Sequence, residues 1–417
     1  MLRAETVTRT NGVTESANVV IIGAGQAGLS LSYELQRGGV EHVILERARV
    51  AETWRGRWDS FCLVIPNWTV QLPGYAYTGD PDGFMPRDEI VAHLVAYARN
   101  FGAPVREGVT VTALEADERA GFILRTAAGA IRARRVVLAS GAYQKPHRPA
   151  AAAQLPASVH AVDAEQYTHP GALPDGPVLI VGSGQTGCQL AEELRNAGRE
   201  TYLSCGRAPW GPRRIEGRDI VSWLVETPWF EATVADLPSP AARLAANIQA
   251  SGRNGGHDCH YRTLQAQGVR LTGHLRGIEE GVAHFASDVT ESVAWGDERY
   301  ALVRDLIRKA CGARGVRAPE MPPPLPFAAE PVGALRLDRL GAIVFTSGFR
   351  PDYGRWVRLP QAFDDMGFPI QREGSSTVVR GLHFMGVHFQ RKRKSATFLG
   401  LAEDAGTLAD TIISADR

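Results

Sequence analysis

Two glycine-rich segments of identical spacing carry the clearest chemistry in this chain. Gly23-Ala24-Gly25-Gln26-Ala27-Gly28 follows the apolar run Val19-Val20-Ile21-Ile22, and Gly182-Ser183-Gly184-Gln185-Thr186-Gly187 follows Val178-Leu179-Ile180-Val181. In a Gly-x-Gly-x-x-Gly turn the first glycine permits the tight bend, the second lets the backbone approach a pyrophosphate, and the third lets the helix pack close to the strand. The helix N-terminus then offers unpaired N–H groups and a partial positive charge to the phosphates. A single copy is weak evidence. Two copies, each with a strand before it and a helical pattern after it, predict two dinucleotide sites that exchange electrons.

The residues after the second strand of each unit distinguish the sites. Behind the first fingerprint, His42-Val43-Ile44-Leu45 delivers Glu46, with Arg47 beside it, eighteen residues after Gly28. A carboxylate there accepts hydrogen bonds from ribose hydroxyls. Behind the second, Glu200-Thr201-Tyr202-Leu203 ends in Ser204-Cys205-Gly206-Arg207, with no acid. Ser204 is expected to donate to a 2′-phosphate, and Arg207 to form a charge-assisted pair with it. The first site therefore fits FAD and the second NADPH. Arg213, Arg214 and Arg218 follow closely and are further phosphate candidates, although surface salt bridges explain any one of them equally well.

The elements that must position these residues form an α/β pattern in which strand-like runs alternate with helices, as in parallel sheets. Leu31 and Leu35 lie one helical turn apart before the stop at Gly38-Gly39, and 54–86 reads as a loop layer rich in Trp, Pro and Gly. Pro86 to Tyr97 reads as a capped helix and Ala396 to Ile413 as a final one. Strands are expected near 109–114, 122–126 and 136–138, and again at Ile343-Val344-Phe345 before Thr346-Ser347-Gly348. The simplest arrangement is two Rossmann-like domains, with the NADP domain (154–327) inserted into a discontinuous FAD domain (1–153 and 328–417).

The 417 residues hold 46 Lys+Arg against 45 Asp+Glu, a net charge of +1, which leaves no electrostatic footprint for nucleic acid or an acidic membrane. The first sixteen residues lack an apolar core of a secretion signal, and no apolar run is long enough to cross a bilayer. Five scattered cysteines, none in a Cys-x-x-Cys pair, fit a reducing cytoplasmic compartment and argue against a dithiol mechanism. His257-Asp258-Cys259-His260 has metal-ligand residue types but no second pair at a zinc-like distance, so no metal is expected. The basic run Arg391 to Lys394 is expected to be a solvated or phosphate-facing loop.

Together with both fingerprints, Trp54-Arg55, Leu138-Ala139-Ser140-Gly141, Thr346-Ser347-Gly348-Phe349-Arg350-Pro351 and Gly381-Leu382-His383-Phe384-Met385-Gly386 through Asp404-Ala405 make nearly the whole chain resemble the flavin-containing monooxygenases. That family includes the plant auxin-forming type and its bacterial relatives. The resemblance implies a flavin C4a-(hydro)peroxide that oxygenates a small organic substrate, at nitrogen or sulfur. Trp54, Arg55, Gly141, Ser347, Gly348 and Gly386 would contact cofactor. Asn67 looks like the family asparagine over the flavin, and the alternative is that it caps a turn beside Pro66. The family motif before the second fingerprint is lost. Its best alignment gives Ala157, Val159, Asp163 and Tyr167, with Asp163 in place of a histidine. That departure weakens a Baeyer–Villiger assignment. A quinone-type NADPH reductase and a nucleotide-binding sensor without turnover are the rivals. The expected partners are a small substrate and dioxygen, and a homodimer is left open.

Overall fold

The computed structural model describes residues 13–119, 121–328 and 332–415. Of the first sixteen residues, where no secretion signal is expected, residues 1–12 lie outside the described residues. The first sheet forms around the strand Val13–Ile22, whose Val19, Val20 and Ile21 are fully buried. Strands buried on both faces read as continuous apolar runs, which is why this one is central. Its parallel core runs Leu382–Phe384, Gly129–Leu138, Val13–Ile22, His42–Leu45, Val105–Arg106. The hairpin Val111–Ala116 and Phe122–Thr126 continues antiparallel from Gly129–Leu138.

The second sheet repeats the plan with five parallel strands: Ala161–Asp163, Ala342–Phe345, Val178–Val181, Thr201–Ser204 and Arg270–Thr272. Its sequence lies between the two parts of the first, so the expected insertion of one Rossmann-like unit into the other holds. The boundary at 328 does not. Ala334–Arg336 joins an antiparallel layer with Leu275–Glu279 and Val282–Phe285, and Ala342–Phe345 lies between two strands of the second sheet. The physical reason is burial: Ala342 to Phe345 are at most 2% exposed, which only an interior strand of this sheet provides. Only the segment after it returns to the first unit.

The first-fingerprint helix, Gln26–Arg37, stops at Gly38 and Gly39, the latter at φ +73°. Its counterpart is Gln185–Asn196. The expected helices occur as Arg87–Asn100 and Phe398–Ser414, and the latter packs against the first-fingerprint helix. A 25-residue helix, Val289–Ala313, follows the second sheet's antiparallel layer. Where the chain crosses between units, Lys145–Pro146 pairs antiparallel with Phe349–Arg350, so the outgoing and returning connectors are tied together. Among the described residues no helix is long and apolar enough to cross a membrane.

Candidate functional site

Strand register superimposes the two fingerprints. Ile22 pairs with Leu45 and Leu138, and Val181 pairs with Ser204 and Phe345. Gly23 and Gly182 both take left-handed backbone, φ +112° and +111°. A Cβ on Gly28 would stand 2.0 Å from the Gly23 carbonyl oxygen, and one on Gly187 would stand 2.0 Å from that of Gly182. These contacts force glycine by protein packing alone. Gly25 differs, because a Cβ there would meet no protein atom within 4 Å. Nothing in the fold demands glycine at that point, but a closely approaching pyrophosphate does.

Neither fingerprint helix has a side-chain N-cap, so no capping side chain takes up the first N–H groups. Gln26 instead accepts a hydrogen bond from the Trp54 indole (2.8 Å), and the Gln185 amide donates to Ile248 O (2.7 Å). Both glutamines thus fix neighbouring loops while the helix ends stay open. Ala27 is buried against Gly386, where a Cβ would come within 2.7 Å of the Ala27 Cβ. Thr186 is half-buried in the second helix's first turn. Gly141 and Gly348, three residues beyond the paired Leu138 and Phe345, share φ near +85° (+86° and +84°). They are one structural position in two copies. A dinucleotide fits each cradle.

Glu46 is 8% exposed, and its two oxygens accept hydrogen bonds from Ala24 N (2.8 Å) and Ala48 N (3.0 Å). A carboxylate has about four acceptor positions, so two remain for a ribose. Arg47 is exposed beside it. In the second unit the register makes Cys205, not Ser204, the counterpart of Glu46. Ser204 is still a strand residue, 3% exposed, with its hydroxyl donating to Gly273 O at 3.0 Å. Its expected role as a phosphate donor is therefore corrected: a hydroxyl has one proton, and this one is already used. Cys205 is fully buried, and burial pushes its thiol far up. Arg207 is exposed and has no hydrogen-bond or ion-pair partner among the described residues.

The neighbouring arginines do not join it. Arg213 is 2% exposed, pairs with Asp219 at 2.5 Å, donates to Val64 O and lies over Phe84, so it ties the two units together from inside. Arg214 donates to Gly255 O, and Arg218 is paired with Glu226.

Asn67 also departs from expectation. Its amide donates to Asp80 O (2.9 Å) and to the Tyr77 hydroxyl (3.4 Å), and its oxygen accepts from Met85 N (2.7 Å). Both amide protons are spent on the loop 77–85, so in this structure Asn67 holds that loop and offers no free donor to a flavin. Ser347 lies beside the second fingerprint, with its hydroxyl donating to Val181 O (2.9 Å). Trp54 is stacked on Phe398 at 5.7 Å, and Arg55 has a buried Nε without a hydrogen-bond partner. Asp163 pairs with Arg148 at 2.8 Å.

The candidate metal cluster disperses. His257 pairs with Glu192, Asp258 accepts from Arg213 N, Cys259 is fully buried in the second core, and the His260 ring packs on Trp210.

The seam between the units carries no local signal in the sequence. The basic run is paired rather than solvated or phosphate-facing: Lys392 and Lys394 each bridge Glu231 of the second unit and Glu403 of the final helix, at 2.6–2.8 Å. Arg393 N donates to Ala232 O, and its guanidinium lies 4.3 Å from the Trp229 ring centroid. This clasp holds segment 228–232 against the C-terminal part of the first unit. Although burial opposes it, the two lysines hold the Glu403 carboxyl down to about 2. A depressed carboxylate stabilises above its ordinary pKa and stops doing so as pH falls through its folded value. The clasp is thus expected to stay intact at neutral pH and to loosen only between about pH 4.5 and about 2. High salt should weaken it, since the Debye length at 1 M is about 3 Å. Hydrogen exchange at 228–236 is expected to rise several-fold in Glu231→Gln or in 1 M salt. Unchanged protection in both would contradict the assignment.

Residues 20–249, more than half of the chain, match the family described as pyridine nucleotide-disulphide oxidoreductase, and the chain belongs to that family. It is an oxidoreductase. An uncharacterized oxidoreductase CzcO-like of Geobacillus kaustophilus (strain HTA426) is 31% identical over 399 residues, covering 95% of this chain and 98% of that protein. The indole-3-pyruvate monooxygenase YUCCA1 of Oryza sativa subsp. japonica is 30% identical over 188 residues, 44% of this chain and 46% of that protein. A flavin-containing monooxygenase from Stenotrophomonas maltophilia shares the fold, with a TM-score of 0.67 at 18% identity over 97% of this chain and 100% of that one. The YUCCA1 match supports the expected kinship with flavin-containing monooxygenases, and the Stenotrophomonas structure adds the shared fold.

Proposed function

We propose that this chain is an NADPH-dependent FAD monooxygenase that oxygenates a small organic substrate at nitrogen or sulfur. One observation carries the reading: two cradles of the same backbone geometry differ at the position facing the ribose. The first presents Glu46, which suits the free hydroxyls of FAD's adenosine. The second presents a buried Cys205 and, two residues on, Arg207, which is unpaired among the described residues and suits a 2′-phosphate.

When bound in the first cradle, FAD would supply the redox chemistry, taking up reducing equivalents from NADPH and activating dioxygen so that one oxygen atom goes to the substrate and the other leaves as water, and the protein itself needs no acid–base triad. The protein's share is placement and shielding. The open helix ends at Gln26 and Gln185 would hold the pyrophosphates. Trp54, fixed by Gln26 and stacked on Phe398, orders the loop beside the first cradle. The clasp at Lys392 and Lys394 keeps the units together. Burial depresses the His388 pKa, so this histidine stays neutral at pH 7. All five cysteines are buried and unbridged, which favours oxygenation over a disulfide-reductase route.

Turnover of NADPH with thioanisole under isotopically labelled dioxygen tests the proposal. One labelled oxygen atom in each sulfoxide is the expected result. NADPH oxidation that is accelerated by a quinone and leaves no labelled product would replace it with a reductase.

A further inference from the structure

A cavity of about 360 Å³ lies on the seam between the units. Residues of segment 234–243 in the second unit supply one wall, and residues of 364–371 and 387–389 in the first unit supply the others. One wall begins beside the first cradle. Val387 follows Gly386, where a Cβ would come within 2.7 Å of the Ala27 Cβ in the first-fingerprint helix. Val234 and Ile370 are 37% and 36% exposed, so the cavity is reached from solvent past them. Domain interfaces are favoured places for small-molecule sites, and this volume falls in their usual range of roughly 300–1,000 Å³.

The charges of the lining cancel. Arg243 and Asp364 reach across the seam and pair at 2.8 Å. Arg243 Nε also donates to Pro240 O, and the guanidinium carbon lies 4.0 Å from the Phe368 ring centroid. The other oxygen of Asp364 accepts from Met366 N and Phe368 N. Gln371 is used as well: it donates to Gln390 O and accepts from Gly374 N. His388 is the remaining polar side chain, and burial depresses its pKa, so it adds no charge at pH 7. The rest of the lining is Val, Pro, Ile and Phe. Arg393 lies over the rings of Trp229 and Phe389 and is not part of the lining. An ion entering from water would find no free counter-charge, and burying a charge unpaired is costly. A site whose own charges are spent on each other rejects ions by that cost.

We propose that this cavity is the substrate site, that it takes a small uncharged molecule, and that the Arg243–Asp364 pair sets the selectivity. The inference rests on the monooxygenase reading only for the claim that the bound molecule is substrate. The pair also gives the selectivity a direction: neutralising Asp364 frees Arg243 and should admit an acid.

Calorimetric titration of the purified holoprotein tests this with three probes that share a ring and a thioether and differ in charge. They are thioanisole, 4-(methylthio)benzoate and 4-(methylthio)benzylamine. Wild type should bind thioanisole at least tenfold more tightly than either ion. Asp364→Asn keeps the side chain's shape, and it should bring the benzoate within threefold of thioanisole while the benzylamine stays weak. Ile370→Trp narrows the cavity from an exposed position and should weaken thioanisole at least tenfold. Saturating NADP+ should change thioanisole affinity by less than twofold. Equal binding of all three probes by wild type, or binding of none, overturns the proposal. Unchanged selectivity in Asp364→Asn or unchanged thioanisole affinity in Ile370→Trp does the same. Displacement of thioanisole by NADP+ would assign the cavity to the cofactor and overturn it too. Binding and turnover fail separately. A preference for the neutral probe without labelled sulfoxide removes the monooxygenase reading alone, whereas labelled sulfoxide formed equally well from all three probes removes the cavity's selectivity alone.

Discussion

Gly28→Ala is expected to yield colourless protein, whereas Gly187→Ala should remain yellow and lose its response to NADPH. In each case the new methyl would lie 2.0 Å from a backbone carbonyl oxygen, where ordinary Cβ contacts begin at 3.4 Å. The obstacle is main chain and cannot rotate away, so the helix must retreat from the strand. Overpacking of this kind costs about 1–3 kcal/mol of stability, which a chain of this size can survive. The functional loss is larger, because displacing a positioning element by about 1 Å costs on the order of a hundredfold. Flavin absorbance of the purified variants and the NADPH concentration for half-maximal reduction measure the two effects. Identical phenotypes, with both variants colourless or both fully reducible, would contradict the division of labour between the cradles.

Arg207→Ala should raise the NADPH KM by roughly ten- to a hundredfold, the equivalent of one charge-assisted hydrogen bond of about 1.5–3 kcal/mol. NADH use should change little, because NADH has no 2′-phosphate. The side chain is exposed and unpaired among the described residues, so its removal leaves no buried acid stranded. Steady-state KM values for both nucleotides decide the matter. Equal losses with both would remove Arg207 from the phosphate site.

The features that could be read from the sequence were those fixed by local geometry. A glycine three or five residues from another must satisfy a turn and a helix start, and Gly23, Gly28, Gly182 and Gly187 do so in both units. What escaped depends on partners distant in the chain. Ser204 and Cys205 differ by one strand position, and only the register with Val181 shows which of them matches Glu46. The basic run at 391–394 looks solvated until Glu231, some 160 residues earlier, is brought against it. Ile343-Val344-Phe345 reads as a strand, but its sheet is decided by the neighbours at 161–163 and 178–181. Asn67 has the right residue type for a flavin contact, and the loop 77–85 folds back to use its amide.

In the proposed reaction electrons pass from NADPH in the second cradle to a flavin in the first. Mixing the purified yellow protein with NADPH under nitrogen tests it most directly. The flavin absorbance should bleach fully with one equivalent of NADPH, and NADH should achieve the same only at much higher concentration. A flavin that stays oxidised with NADPH, or that is reduced equally well by both nucleotides, would contradict it.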